Sequence, residues 1–137
     1  MDNDETLLKA TRFEPLAERD IPVIVSAFSD IGWNKPSSIY QAYFEEQLLN
    51  KRCVWIAWHN EIFLGYVTLK WVSNYKSFKT KNIPEINDLN VLPKYRKQGI
   101  ATKLLYLAEI EARKRSQYIG LGVGLDPDYG AAQKLYV

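Results

Sequence analysis

The sequence predicts one mixed α/β (α+β) domain, a mostly antiparallel sheet flanked by helices. Two observations carry this expectation. Residues 52–58 and 62–72 are consecutive strand-like runs joined by His59-Asn60-Glu61, a link with hairpin chemistry in which Asn60 suits the turn. Further on, a strand-like run at 83–92 leads into the clearest helical pattern of the chain, 100–116, and then into another strand at 118–125. Hairpins combined with a single crossover make a mixed sheet. A chain of 137 residues suffices for one such domain with a buried core, so positions 1–137 are read as a single unit.

The remaining elements follow in order. Residues 11–16 alternate enough for a short strand. Asp20-Ile21-Pro22 puts a carboxylate and a proline at a helix start, ahead of Val23, Ile24, Ala27 and Phe28. Residues 29–36 break that helix. Ser37-Ser38 can cap a second one, with Tyr40, Tyr43, Phe44, Leu48 and Leu49 on its apolar stripe. The polar, basic stretch 73–81 reads as a loop. The helix at 100–116 carries apolar residues at Ile100, Ala101, Leu104, Leu105, Ala108 and Ala112, and a last helical pattern runs from Tyr129 to Tyr136. The chain ends at Val137 inside that pattern, so the reading expects a domain truncated at its C-terminus.

Composition narrows the function classes. Apolar residues make up 47% and charged residues 25%, ordinary values for a globular protein, and a net charge of +2 gives no general case for nucleic acid. Cys53 is the one cysteine and sits in a buried-strand pattern, which excludes a disulfide frame and a cysteine metal cluster. No metal site is expected. The acidic start, Met1-Asp2-Asn3-Asp4-Glu5, is unlike a signal peptide, and no apolar run reaches membrane-spanning length. A cytoplasmic location is the expectation. Arg113-Lys114-Arg115 falls at a helix C-terminus, where cations are favoured by the dipole and need no nucleic-acid partner.

The most informative stretch is Asn90-Val91-Leu92-Pro93-Lys94-Tyr95-Arg96-Lys97-Gln98-Gly99-Ile100-Ala101. A strand that enters a helix through a tight turn leaves the first helical N–H groups unpaired at the positive end of the dipole. That place suits an anion. Gly99 lets backbone approach a ligand without a Cβ in the way, and Arg96 and Lys97 add charge. The same residues also suit a plain connection with solvated cations, and local chemistry weighs the two evenly. The P-loop and Gly-x-Gly-x-x-Gly patterns are absent.

This stretch resembles the acetyl-coenzyme A signature of the GCN5-related N-acetyltransferases: a strand ending in Val-x-Pro-x-Tyr-Arg, then Arg/Gln-x-x-Gly-x-Gly/Ala at a helix start. Arg96, Gly99 and Ala101 occupy the fixed positions. Ala132-Gln133-Lys134-Leu135-Tyr136 is similar to the family's Ala-x-x-Leu-Tyr. The family often has asparagine ahead of that motif, where this chain has Tyr129. The resemblance spans residues 11 to the terminus and implies the acyl-CoA N-acyltransferase fold, here lacking the C-terminal strands that complete the family's sheet.

The resemblance also implies roles. Acetyl-CoA would be co-substrate, and an amine of a small molecule or peptide would attack the thioester directly. Backbone N–H groups of Lys97, Gln98, Gly99, Ile100, Ala101 and Thr102 would hold the pyrophosphate, with charge from Arg96 and Lys97. The strand edge from Leu89 to Val91, splayed by a bulge, would pair with the pantetheine, and the Val91 N–H would polarise the thioester carbonyl. Tyr136 would protonate the departing thiolate. Glu85 and Asp88 are the candidate bases, placed on opposite faces by strand alternation. Trp33 and Asn34 in the first inter-helix loop would meet the acceptor. A non-catalytic acyl-CoA or nucleotide-binding module is the alternative. No nucleic-acid or membrane partner is expected, and an exposed sheet edge would allow a homodimer.

Overall fold

The structure, a computed structural model, describes residues 7–121 and 134–136. Six strands form one sheet in chain order: β1 (Arg12–Pro15), β2 (Arg52–His59), β3 (Ile62–Lys70), β4 (Glu85–Val91), β5 (Ile119–Leu121) and β6 (Lys134–Tyr136). Only β4 and β5 run parallel; the other neighbours are antiparallel. Four helices accompany them: α1 (Ile21–Ser29), α2 (Ser37–Leu48), the short α3 (Lys76–Thr80) and α4 (Ile100–Arg113). The expected mixed sheet and its single crossover are both present.

The β2–β3 hairpin closes as its turn residues allow. His59 pairs with Ile62, and Asn60 takes a positive φ of 53°, a left-handed conformation that asparagine tolerates better than most residues. Valine, isoleucine and tryptophan fill β2, so both faces of the strand carry bulk suited to a pleated surface.

Each face of the sheet holds its own core. On one face, Ile100, Leu104, Ala108 and Ala112 of α4 recur every four residues and pack on Val67, Leu69, Ile86 and Leu121. On the other, Ile24 and Phe28 of α1 and Tyr40 of α2 pack on Val54, Ile56, Phe63 and Tyr66. This second core is aromatic. Phe28 lies stacked against Trp33 and edge-on to both Phe63 and Tyr66, with centroids 5.7 to 6.2 Å apart.

Four sequence expectations change. Ser37 and Ser38 do not cap α2: Pro36 holds the capping position in extended conformation, with no side-chain cap bond. Leu48 and Leu49 are exposed, at 65% and 64%, because the helix ends there and the chain turns at Asn50 before the sheet can cover them. The stretch 73–81 contains α3, which forms because Phe78 buries its ring against β5 and anchors one turn. Finally, residues 134–136 are not helical. They pair antiparallel with β5, Leu135 facing Gly120 and Tyr136 facing Ile119. A strand edge satisfies the backbone of so short a segment more cheaply than an isolated helical turn, whose nucleation is costly. The rest of that expected helix, and the expected strand beyond residue 121, lie outside the described residues.

The contact between Phe78 and Gly120 gives a stability test. A Cβ on Gly120 would sit 2.3 Å from the Phe78 ring, which is itself buried. Gly120→Ala is therefore expected to destabilise the fold by about 1–3 kcal/mol through overpacking. Gly120→Ala combined with Phe78→Leu should recover part of the loss in a denaturant titration. Equal stability of wild type and Gly120→Ala would show that the ring yields freely.

Candidate functional site

The site is built on β4, which departs from regular pairing at its centre. Val67 pairs with Leu89 and Leu69 with Ile86, so Asn87 and Asp88 together oppose Thr68. This is a β-bulge, with Asp88 in left-handed conformation at φ 70°. The extra residue resets the side-chain alternation. Ile86 belongs to the α4-side core, while Asn87, Asp88 and Asn90 all reach groups on the α1/α2 side.

The bulge corrects one expectation directly. Glu85 lies opposite Lys70, two residues along β3 from Thr68, so it shares the α1/α2 face with Asp88 instead of opposing it. The two carboxylates still do not meet. Glu85 is 4% exposed at the start of β4 and accepts a bond from the Ser73 hydroxyl at 2.9 Å. It lies six residues upstream of Val91, about 20 Å along an extended strand.

Asp88 is the hub of a polar cluster. Tyr43 of α2 and Tyr66 of β3 each donate to Asp88 Oδ2 at 2.7 Å. Asn90 donates to Oδ1 at 3.0 Å, and its amide nitrogen also reaches the Tyr66 oxygen at 3.2 Å. The Tyr40 hydroxyl lies 3.2 Å from that of Tyr66. Tyr66 has one proton and gives it to Asp88, so Tyr40 is the donor to Tyr66. Beside this cluster, the buried Arg52 donates to Glu46 at 2.7 Å, Thr68 at 2.7 Å and Asn87 at 3.2 Å, with its guanidinium 4.2 Å from the centre of the Tyr43 ring. The Thr68 hydroxyl closes the bulge on the Asn87 carbonyl.

Burial, with the Asp88 charge as a lesser cause, holds the phenols protonated. Tyr40 is pushed up to about 12, and Tyr43 and Tyr66 are raised well above the ordinary tyrosine value too. All three therefore act as donors at neutral pH.

The cradle begins where β4 ends. Pro93–Tyr95 form a single 3-10 turn, Lys97 and Gly99 take positive φ of 63° and 85°, and Gly99 stands at the N-cap of α4 with no side-chain cap. The first described bond into the helix is the Lys103 N–H to the Gly99 carbonyl at 3.0 Å, and no described hydrogen bond uses the N–H groups of residues 97–102. Among the described residues, six backbone donors in the turn and first turn of this fourteen-residue helix have no acceptor. A diphosphate carries the acceptor oxygens that such a row of donors needs, so these residues fit the phosphate part of a coenzyme A.

Arg96 does more than add charge. Its Nε donates to the Val91 carbonyl at 2.9 Å, and its guanidinium lies 5.8 Å from the centre of the Trp33 ring. Trp33 therefore joins the first inter-helix loop to the cradle. Asn34 is exposed and faces a shallow cavity with Lys35 and Pro36. Ile31 lines a larger open cleft of about 640 Å³ with Val23, Ala27, Ile62, Phe63 and Tyr95. Leu89 is half-buried and Val91 buried on the α4 side. The described pairs of β4 with β5 are Glu85 with Gly120 and Ile86 with Leu121, so any parting of these strands beside Leu89 and Val91 falls outside the described residues. Tyr136 has its backbone on β6 opposite Ile119, and its side chain lies outside what the structure describes. Cys53 is half-buried against the α4-side core, and burial raises its thiol.

Sequence reasoning missed Tyr40, Tyr43, Tyr66 and Asn90 as site residues. The two tyrosines of α2 read as apolar stripe, and only the bulge, which has no local sequence signature here, gathers them around Asp88. Among the described residues, no group of acidic, histidine and cysteine side chains could hold a metal, and no helix is long and apolar enough to cross a membrane.

A model of the acetyltransferase (GNAT) family matches residues 20–137. No curated protein matches the chain in sequence. Among solved structures, an N-acetyltransferase from Staphylococcus aureus Mu50 superposes with a TM-score of 0.67 at 18% identity, over 86% of this chain and 76% of that one. The yncA protein of Salmonella typhimurium, solved with its cofactor acetyl-CoA, gives 0.66 at 18% identity, over 83% and 70%. The aminoglycoside 6'-N-acetyltransferase AAC(6')-IG from Acinetobacter haemolyticus gives 0.65 at 16%, over 85% and 81%.

The raised phenols predict an alkaline limit to stability. In the unfolded chain these tyrosines return to an ordinary value near 10.0, so above that pH the unfolded state loses protons that the folded state keeps. Their contribution is complete below pH 10 and declines as pH rises toward 12. Denaturant midpoints should fall across that window, and fall less steeply in Tyr40→Phe. Parallel pH profiles for the two proteins would contradict the assignment.

Proposed function

Because the chain belongs to the acetyltransferase (GNAT) family, we propose that it transfers the acetyl group of acetyl-CoA to a primary amine of a small molecule or a protein. The observation that carries this reading is the row of N–H groups at 97–102 that have no acceptor among the described residues, set at a glycine-capped helix start just after the bulged strand. Acetyl-CoA is the co-substrate. Bound there, it supplies the activated acetyl carbon and a thiolate leaving group.

The chain's own residues divide the remaining work. The N–H groups of residues 97–102 bind the diphosphate, and Lys97 and the free amino groups of Arg96 add charge. Arg96 also fixes the Val91 carbonyl and so sets the last residues of β4, from which Leu89 and Val91 would align the pantetheine and the Val91 N–H would polarise the thioester carbonyl. Asp88 takes the proton that the attacking amine must lose, directly or through one water. Its position at the centre of β4, on the α1/α2 face, supports it over Glu85, which is buried, bonded to Ser73 and at the start of the strand, farthest from Val91. The acceptor enters over the α1/α2 face, past Trp33 and the residues around Asn34. Protonation of the departing thiolate is carried to Tyr136 by resemblance alone; a thiol pKa of about 8.5 makes such help useful without being indispensable. An aminoglycoside acetyltransferase, AAC(6')-Iy, solved with a bisubstrate analogue of CoA and acetylneamine shares this fold at 13% identity and a TM-score of 0.65, which is consistent with an amine acceptor.

Calorimetric titration of acetyl-CoA tests the cradle. Gly99→Val puts a β-branched residue at φ 85°, next to Leu8, and should weaken binding at least tenfold while the fold survives. Equal affinity in the two proteins would overturn the cradle. For Tyr136→Phe, turnover is expected to fall while acetyl-CoA affinity stays within twofold; unchanged turnover would show that the thiolate leaves unaided.

A further inference from the structure

We propose that Tyr43 and Tyr66, with Asn90, are positioning residues that aim a single lone pair of Asp88 at the acceptor amine. The inference rests on the reading of Asp88 as the proton acceptor and assigns roles to Tyr43 of helix α2, Tyr66 of strand β3 and Asn90 of β4.

A carboxylate offers about four acceptor sites, two on each oxygen. Tyr43 and Tyr66 fill both sites of Oδ2 at 2.7 Å, and Asn90 fills one site of Oδ1 at 3.0 Å. Among the described residues one site remains, on Oδ1. The Tyr66 oxygen is saturated in the same way, since it accepts from Tyr40 and Asn90 and donates to Asp88. With both donors to Oδ2 spoken for by rigid aromatic side chains, the carboxylate cannot rotate without breaking two bonds to a charged acceptor.

The two donors also come from different layers. Tyr66 is 1% exposed and belongs to the sheet, whereas Tyr43 is half-buried and belongs to the helix that borders the acceptor side. The Tyr43 ring is in turn clamped by the Arg52 guanidinium at 4.2 Å, and Arg52 holds Asn87, the other bulge residue. No cation among the described hydrogen bonds and salt bridges reaches Asp88 itself. Among the described residues its charge is met by neutral donors alone, which leaves it able to attract an ammonium group. The raised phenols keep those donors protonated throughout the neutral range.

The test compares two nucleophiles at saturating acetyl-CoA, with free thiol followed as product. n-Butylamine is protonated at neutral pH and needs a base. Hydroxylamine is largely free base there and needs one far less. Tyr43→Phe and Tyr66→Phe are each expected to lower kcat/KM for n-butylamine about tenfold, the scale of one hydrogen bond to a charged group. Hydroxylamine turnover and acetyl-CoA affinity should stay within about twofold to threefold. Asp88→Asn should cost about a hundredfold with n-butylamine, and Tyr43→Phe should add nothing further in that background. A merely structural role would slow both nucleophiles alike and would persist beside Asp88→Asn; either outcome overturns the positioning role. If Asp88→Asn keeps full activity with n-butylamine, the base assignment itself is wrong. If the wild-type chain releases no thiol with either nucleophile, the acetyl-transfer reading falls, and the positioning role falls with it.

Discussion

The left-handed backbone at Asp88 is the constraint on which the rest of the site depends. Without the extra residue at the bulge, β4 would continue its alternation past Ile86 and turn Asp88 toward the α4-side core. There it would be a bare charge among Leu104 and Ile100. The bulge instead delivers Asn87 and Asp88 side by side to the opposite face, where Arg52 and three tyrosines are waiting. Left-handed conformation costs an aspartate something, and the three donors to its carboxylate are what offset it.

This arrangement makes the aromatic core on the α1/α2 side more than filler. Phe28, Tyr40, Phe63 and Tyr66 pack edge-on and stacked, so the ring of Tyr66 is immobilised before its hydroxyl does anything. A phenol on a loose side chain would lose more freedom on bonding to Asp88 and would orient it less. Core packing and site geometry are therefore one problem here. Substitutions that merely loosen the rings near Phe28 would reach the carboxylate through Tyr66.

Much of the fold was legible in the sequence because local and global signals agree. The hairpin at Asn60, the amphipathic spacing of Ile100, Leu104, Ala108 and Ala112, and the proline–glycine punctuation from Pro93 to Gly99 all point to the architecture observed. The strand–turn–helix junction from Val91 to Ile100 was legible for the same reason, since its parts are contiguous in the chain. The cluster around Asp88 was not. Its members are scattered from Tyr40 to Asn90, and they converge only after one strand has gained a residue relative to its neighbour. Period-two reasoning cannot see an insertion whose residue, Asp88, carries no glycine to announce it, and so it put Glu85 and Asp88 on opposite faces. The short helix at Lys76–Thr80 was hidden similarly: its stretch is polar in composition, and one buried phenylalanine decides its shape.

Arg96 illustrates how charge counting can mislead at such a site. Its Nε is committed to the Val91 carbonyl and its guanidinium lies near the Trp33 ring, so its two terminal nitrogens are what is left for an anion. A lysine has the same charge but no secondary nitrogen midway along its stem and no flat face to lay on an indole. It could answer the anion or the carbonyl, not both. At this position the distinction between the two cations is one of wiring: arginine ties the strand end to the inter-helix loop, and any exchange that preserves the electrostatic map would still cut the tie.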